Sequence, residues 1–360
     1  MRPAAALLLL ALVGAAQATS RPVAISEQPR LQRSERPQTS DAEPAAASLG
    51  HGAASGSSGQ SWLPIVMWHG MGDSCCSTGF GAVKTFIEAT LPGVFVHSIA
   101  TARSPMADLM GSYFGNLNEQ VDRVCDELMG MEELKDGYVA VGFSQGGQFL
   151  RAVLQRCQHL GPRMHTLVTL GSQHQGVMSV PGCPQPDPAG EGPPFYCRLM
   201  QGLIGRGAYA PWVQSHVVQA QYVKDPYHLD LYLTHSIFLA DINGEVPGRL
   251  PPARYRENLA SLQRLVLFQF DDDDMVVPKE SAHFGFFNGS ALLAMRDTPL
   301  YQQDWIGLKA LDEADRLTML HTPGRHMRFS LDWFEQHVVR PWLAVPAAET
   351  AAAGERVEAR

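Results

Sequence analysis

Short apolar segments alternate with longer amphipathic segments from residue 62 to the last aromatic residues of the chain. The apolar segments are rich in Val, Ile, Leu and aromatic residues, and each ends in a polar or glycine-containing turn, which is typical of strands. Predicted strands cover Ile65–Trp68, Val94–Ile99, Tyr138–Val141, Thr166–Leu170, Leu265–Phe270 and Leu317–Leu320. Predicted helices include Gly79–Thr90, Leu117–Met129 and Gln145–Cys157. Strands that are apolar throughout and alternate with helices predict an α/β fold, with a mainly parallel sheet covered on both faces.

One long interval interrupts this alternation. About ninety residues separate Leu170 from Leu265, far more than an ordinary crossover connection needs. The aromatic content of this interval predicts a folded helical insertion, spanning about 171–263: Phe195, Tyr209, Trp212, Tyr222, Tyr227, Tyr232 and Phe238. An insertion at this point would lie over the carboxyl ends of the strands, where open α/β sheets bind ligands. An apolar cap there suits an apolar substrate, and the alternative is an insertion that packs only on itself.

Both ends of the chain differ in composition from its centre. Arg2 is followed by the apolar run Ala4–Ala16 and by small residues, which predicts a secretory signal peptide covering residues 1–18. A buried first helix is the alternative, but this run has no polar face. Residues 19–60 and 346–360 are rich in small and polar residues and predict flexible segments. The folded domain is therefore expected at 61–345.

Composition limits the classes of function and partner. The chain has 360 residues, is 45% hydrophobic and carries a net charge of −8, which suits a large globular domain and argues against nucleic-acid binding. The longest apolar run is too short to span a bilayer, so no transmembrane segment is expected. Six cysteines in a secretory protein predict disulfides, although the residues alone do not choose the pairs. The sequon at Asn288 predicts a glycosylation site.

The candidate nucleophile is Ser144, which lies in the segment Gly142–Gly146 between a predicted strand and a predicted helix. A serine on so tight a strand-to-helix turn presents its hydroxyl above the sheet. Glycines two residues before and after it are expected because side chains there would collide as the backbone folds back. A serine that only caps the following helix is the alternative.

A nucleophilic serine needs a base and an acid that orients the base, and in this fold they follow the serine in the order acid, histidine. The fifth predicted strand runs into the acidic run Asp271–Asp274, in which Asp273 is the predicted acid, ahead of Asp272. A plain solvated loop is the alternative reading of this run. The last predicted strand leads through a Pro-Gly turn to His326, the predicted base. His321 is less suitable because it lies too close to the strand.

The negatively charged tetrahedral intermediate needs backbone N–H donors. One is expected from Gln145, the residue after the nucleophile, and the other from the loop His69–Asp73 that follows the first strand. Within that loop we predict Met71 as the donor. His69 is expected to be structural.

Several longer stretches of the chain resemble the palmitoyl-protein thioesterase family. They are WHGMGDSCC (Trp68–Cys76), GFSQGGQFLRAV (Gly142–Val153), GSQHQGV (Gly171–Val177), HSIFLADIN (His235–Asn243), VVP followed by FGFF (Val276–Phe287) and GLKALD (Gly307–Asp312). The resemblance covers nearly all of the chain from residue 62 to residue 342. The segment 19–60, the tail and the acidic run depart from the family pattern.

The resemblance implies an α/β-hydrolase fold in which Ser144, His326 and Asp273 act together. It also implies Met71 and Gln145 as oxyanion donors and an insertion that forms a fatty-acyl groove. The implied disulfides join Cys75 to Cys76, Cys125 to Cys157, and Cys183 to Cys197.

The implied activity is hydrolysis of long-chain acyl thioesters, such as palmitate on cysteines of lipidated proteins or peptides, with no metal or organic cofactor. An oxygen-ester lipase or acyl-CoA hydrolase using the same residues is the alternative, and a non-catalytic acyl-chain carrier is the second. The expected partners are S-acylated proteins or peptides, fatty acyl chains and a sorting receptor. The resemblance points to the lysosome, with secretion as the alternative destination.

Overall fold

The computed structural model describes residues 61–178, 207–249 and 251–347. The predictions for residues 1–18 and 19–60, for Cys183 and Cys197, and for the tail from residue 348 onward lie outside these ranges. The first and last described residues pair with each other. Trp62 forms an antiparallel bridge with Pro346, and the Ala347 N–H donates to the Ser61 carbonyl at 2.8 Å. Backbone pairing therefore continues two residues past the predicted boundary at 345.

Six parallel strands form the central sheet, in the order β2-β1-β3-β4-β5-β8. The strands of this sheet are β1 (Ile65–Trp68), β2 (Val96–Ser98), β3 (Tyr138–Phe143), β4 (Met164–Leu170), β5 (Arg264–Phe270) and β8 (Leu317–Thr322). A separate antiparallel hairpin pairs β6 (Phe286–Phe287) with β7 (Leu292–Leu293). The predicted parallel α/β architecture is confirmed. The prediction for β2 was three residues too long, because only Val96–Ser98 pair in register with β1, although Phe95 and Ile99 each make one backbone hydrogen bond to it.

The register of the parallel strands places their carboxyl ends on the same side of the sheet. Val141 of β3 lies between Met67 of β1 and Val168 of β4. Phe268 of β5 pairs with Leu170, the last residue of β4, so the fifth strand ends two residues beyond the fourth on the same side of the sheet. The loops that follow these strands therefore emerge side by side.

Helices cover both faces of the sheet. The α-helices of the described residues are α1 (Thr78–Thr90), α2 (Pro105–Gly111), α3 (Leu117–Met129), α4 (Gln145–Cys157), α5 (Pro211–His216), α6 (Leu229–His235), α7 (Leu239–Ile242), α8 (Ala253–Ala260), α9 (Pro299–Gln302), α10 (Leu308–Glu313) and α11 (Leu331–Phe334). A π-helical segment, Glu335–Leu343, follows α11. Among the described residues, no helix is both long and apolar enough to cross a bilayer.

Alternate side chains of the strands supply two separate cores. Val139 and Val141 of β3 pack with α1 and the segment Glu335–Leu343 on one face. Ala140, between them, packs with α3 and α4 on the other. Because both faces are buried, the strands read as continuous apolar runs instead of alternating ones.

The described part of the predicted insertion is helical, as expected, and contains α5, α6, α7 and the 3₁₀ turn Val218–Tyr222. Three of its aromatic side chains are fully buried: Tyr222, Tyr232 and Phe238. Trp212 and Tyr227, in contrast, are 59% and 69% exposed. Aromatic content therefore predicted a folded segment correctly, although these two side chains lie at its surface. Phe195 lies outside the described residues.

Candidate active site

The turn between β3 and α4 holds Ser144 in a strained conformation. Its φ is 56° and its ψ is −123°, a combination that costs a residue with a side chain about 1–3 kcal/mol. A Cβ added to Gly142 would lie 2.4 Å from the Gly147 Cα, and one added to Gly146 would lie 2.5 Å from the Trp68 carbonyl oxygen. Both glycines are therefore required by close backbone contacts, as the sequence pattern predicts.

The Ser144 hydroxyl is directed at a histidine and not at the helix that follows. Its Oγ lies 2.9 Å from His326 Nε2, although 182 positions separate the two residues. Within the described chain, the Ser144 side chain caps no N–H of α4. The hydroxyl is thus placed to donate its proton to the imidazole.

The other ring nitrogen of His326 contacts Asp273. The Nδ1–Oδ2 distance is 2.7 Å, and the two side chains are only 8% and 2% exposed. An ionised carboxylate accepts a hydrogen bond from Nδ1–H, which keeps the ring proton on Nδ1 and leaves the Nε2 lone pair facing Ser144. This is the tautomer that a general base requires.

The turn after β5 explains which of the four acidic residues meets His326. The second oxygen of Asp273 accepts the N–H groups of Met275 and Val276, each at 2.9 Å. These two bonds hold the carboxylate in the turn, while Asp272 and Asp274 are exposed. The structure thus brings Ser144, His326 and Asp273 together. Asp272, the second choice for the acid, is exposed to solvent instead.

His321, the rejected alternative for the base, lies on β8. Its Nδ1 is 2.9 Å from Asp271 Oδ1, and the two side chains are 60% and 46% exposed. The His321 ring therefore contacts Asp271, the first residue of the turn after β5, at the surface of the protein.

The loop after β1 passes directly beside Ser144, the candidate nucleophile. A Cβ on Gly70 would lie 3.1 Å from the Ser144 Cβ and 3.4 Å from the Phe143 carbonyl oxygen. The next glycine, Gly72, has a φ of +78° and donates its N–H to the Ser112 hydroxyl at 2.8 Å. This placement accords with an oxyanion loop, and the N–H of Met71 remains the predicted donor within it.

Gln145 connects the nucleophile turn to the insertion, a link that the sequence did not reveal. Its side chain accepts a hydrogen bond from the Tyr222 hydroxyl at 3.2 Å and donates to the Ser112 carbonyl at 3.3 Å. Gln219 donates to the same carbonyl at 2.9 Å. Burial raises the pKa of the Tyr222 phenol, which stays a neutral donor. These partners come from separate elements, so no spacing in the sequence relates them.

The described residues contain two disulfides. Cys75 is joined to Cys76 just after the loop that contacts Ser144, and Cys125 of α3 is joined to Cys157 at the end of α4. No described cysteine is free.

The sequon residue Asn288 lies in the turn between β6 and β7. It is exposed, and its Oδ1 accepts the N–H groups of Ser290 and Ala291. An exposed turn suits glycan attachment, which remains a prediction.

Comparison with known proteins identifies the family. Residues 64–326 match the model of the palmitoyl protein thioesterase family. Palmitoyl-protein thioesterase 1 of Caenorhabditis elegans is 45% identical over 285 residues, which cover 78% of this chain and 92% of the relative. The rat lysosomal thioesterase PPT2 is 30% identical and is covered over 77% of its length.

A fusion protein of Schizosaccharomyces pombe, palmitoyl-protein thioesterase–dolichyl pyrophosphate phosphatase fusion 1, is 34% identical over 281 residues. The match covers 77% of this chain and 43% of the fusion. The matched region of this chain contains all three residues of the hydrogen-bonded series Ser144–His326–Asp273. This chain, with its α/β-hydrolase fold, belongs to the palmitoyl protein thioesterase family.

Proposed function

We propose that this protein removes long-chain fatty acyl groups, palmitate in particular, from cysteine thioesters of lipidated proteins or peptides. The observation that carries the proposal is the continuous series of hydrogen bonds from Asp273 through His326 to Ser144. In a member of a thioesterase family, this series supplies the nucleophile, the base and the orienting acid that acyl transfer requires.

In the first step, Ser144 Oγ attacks the thioester carbonyl carbon while His326 Nε2 takes the hydroxyl proton. Asp273 stabilises the imidazolium that forms and keeps the Nδ1 proton in place. The carbonyl oxygen becomes an oxyanion, for which the N–H groups of Met71 and Gln145 are the proposed donors. The cysteine thiolate then leaves, takes the proton from His326, and the acyl group remains on Ser144 as an ester.

In the second step, water attacks the Ser144 ester. His326 removes a proton from the water and returns it to Ser144 Oγ, which releases the fatty acid. A thiol has a pKa of about 8.5 and leaves far more readily than an amine, so the demand on His326 as an acid is light. Both steps need only water and groups of this chain.

An oxygen-ester lipase or acyl-CoA hydrolase would use the same three residues. Two peptides of the same sequence, one palmitoylated on cysteine and one on serine, distinguish a thioesterase from an oxygen-ester hydrolase. Palmitoyl-CoA as a substrate tests for an acyl-CoA hydrolase. We expect the highest kcat/KM on the cysteine peptide. Equal or faster turnover of the serine ester or of palmitoyl-CoA would favour the alternative enzymes.

The direct test of the proposal is release of labelled palmitate from a palmitoyl-cysteine peptide by wild type and Ser144→Ala. We expect the substitution to abolish release above background, because no other group replaces the lost nucleophile. Ser261→Ala is a matched control. Ser261 lies just before the amino end of β5, whereas Ser144 follows the carboxyl end of β3. A wild type that binds palmitate but neither releases it nor reacts at Ser144 with a fluorophosphonate would be an acyl-chain carrier.

The proposed site of action is the lysosome. The support is the similarity to a rat lysosomal thioesterase, together with the predicted signal peptide. Expression of the full chain in cells, followed by staining against a marker of acidic compartments, tests this assignment. Recovery of the protein only in the medium would favour secretion instead.

A further inference from the structure

A buried carboxylate lies beneath the loop that contacts the nucleophile. Asp108 of α2 has no exposed surface. Its Oδ2 lies 3.1 Å from His69 Nε2 and accepts the Cys75 N–H at 2.8 Å. Its Oδ1 accepts the N–H and the hydroxyl of Thr101 at 2.7 Å and 2.8 Å. One carboxylate therefore joins both ends of the loop after β1 to the segment before α2.

His69 is likewise fully buried, and both of its ring nitrogens face oxygen atoms. Nε2 faces the Asp108 carboxylate, and Nδ1 lies 2.9 Å from the Gly70 carbonyl oxygen. A neutral imidazole carries only one N–H, whereas the imidazolium carries two. When Asp108 is ionised and can only accept, both contacts are hydrogen bonds only in the imidazolium form.

This pair lies next to the reacting serine. Gly70, the residue after His69, packs against the Ser144 Cβ, and a Cβ on Gly146 would lie 2.9 Å from the His69 carbonyl oxygen. A shift of His69 would therefore move the backbone that faces the nucleophile. Because Cys75 is held by the same carboxylate, the loop is fixed at both of its ends.

We propose that Asp108 and His69 form a buried carboxylate–imidazolium pair that positions the loop 70–75 so that its Met71 N–H meets the oxyanion. Asp108 is a positioning residue: it touches no substrate and acts through His69 and Cys75. The imidazolium also places a fixed positive charge beside the developing negative charge. This inference rests on the proposed thioesterase activity.

The ionisation of Asp108 accords with this role. Burial alone raises the pKa of the carboxyl, but hydrogen bonds from His69, Cys75 and Thr101, together with the charge of His69, lower it below its usual value. A carboxylate with a lowered pKa stabilises the folded state above its unfolded pKa and loses that contribution only as the pH falls through the folded value. The Asp108 side chain therefore stays ionised in mildly acidic conditions.

The test is Asp108→Asn, which keeps the shape of the side chain and removes its charge. We expect kcat on the palmitoyl-cysteine peptide to fall about 10- to 100-fold, the scale of a small misplacement of catalytic groups, with KM changed less than about twofold. A palmitoyl trifluoromethyl ketone adds to Ser144 Oγ and bears an alkoxide in the oxyanion position. Its Ki should rise by the same factor, while inhibition by palmitate stays unchanged.

Asp312→Asn is the matched control. Asp312 also accepts hydrogen bonds from several partners, Arg296 and Tyr301, but none of them belongs to the site. We expect this variant to keep wild-type kcat and ketone Ki. Wild-type values in Asp108→Asn, or an equal weakening of ketone and palmitate binding, would overturn the positioning role.

Two further measurements test the proposal even if Asp108→Asn does not fold. Thr101→Val removes one hydrogen bond from Asp108 but keeps the charge, and we expect a smaller loss of kcat with KM unchanged; an unchanged kcat would contradict the proposal. A neutron structure of the wild type should show deuterons on both ring nitrogens of His69, and a single deuteron would overturn the imidazolium. An inactive wild type would refute the proposed function, whereas an active wild type with an unaffected Asp108→Asn refutes only this inference.

Discussion

Asp273→Asn perturbs His326, the proposed base, without changing the shape of the turn. In the wild type, one oxygen of Asp273 accepts two backbone N–H groups and the other faces His326 Nδ1 at 2.7 Å. The two N–H donors will hold the amide oxygen of an asparagine in the same place. The amide NH₂ then faces Nδ1, which must become an acceptor, and the ring proton moves to Nε2. In that tautomer His326 cannot take the Ser144 proton.

The magnitude follows from that loss. Removing the base function through the wrong tautomer costs about 10⁴ in kcat in serine hydrolases of this arrangement, or roughly 5.5 kcal/mol of transition-state stabilisation. KM should change little, because no substrate contact is removed. Stability should change little as well, since the N–H bonds of the turn are retained.

The assay is palmitate release under single-turnover conditions, with Asp272→Asn as the control. Asp272 is exposed one position away, and its substitution should leave kcat within about twofold of the wild type. A loss of less than about tenfold in Asp273→Asn, or a larger loss in Asp272→Asn, would refute the assignment of the acid.

Three further predictions concern stability. Gly146→Ala brings a Cβ to 2.5 Å from the Trp68 carbonyl oxygen and should destabilise the protein by about 1–3 kcal/mol in urea unfolding; an unchanged midpoint would contradict the tight turn. Removing the Cys125–Cys157 disulfide, which links positions 32 apart, should cost roughly 3–4 kcal/mol, and a loss below about 1 kcal/mol would argue against its formation in the folded protein. Burial holds the pKa of His174 well below its usual value, so the unfolded chain binds a proton near pH 6.5 that the folded protein does not. Stability should therefore fall from pH 7 to pH 5, and His174→Gln should reduce that fall in Tm; an equal fall in both proteins would contradict it.

The strands and the nucleophile turn could be predicted because both depend on local sequence. Strands buried on both faces must be apolar at every position, as in β3, and the strained serine between β3 and α4 requires glycines at fixed offsets. The positions of Asp273 and His326 followed from the strands before them. Local pattern was thus sufficient for the fold and for the elements that carry the three residues.

Other features depend on contacts that the sequence does not display. The preference for Asp273 over Asp272 was weak because two N–H groups of the turn decide it. The exposure of Trp212 could not be predicted because aromatic content does not tell which side of a six-residue helix faces outward. The hydrogen bond between His69 and Asp108 joins residues 39 positions apart in two elements, so no sequence motif indicates it.

The central claim is that Ser144 carries the acyl group during turnover. Mixing the enzyme with excess palmitoyl-cysteine peptide, quenching in acid within milliseconds and mapping the modified peptide by mass spectrometry tests this directly. The account predicts a palmitoyl ester on Ser144 that forms and decays at rates consistent with kcat. Palmitate release with the acyl group on another residue, or with no acyl-enzyme even when water attack is slowed, would contradict it.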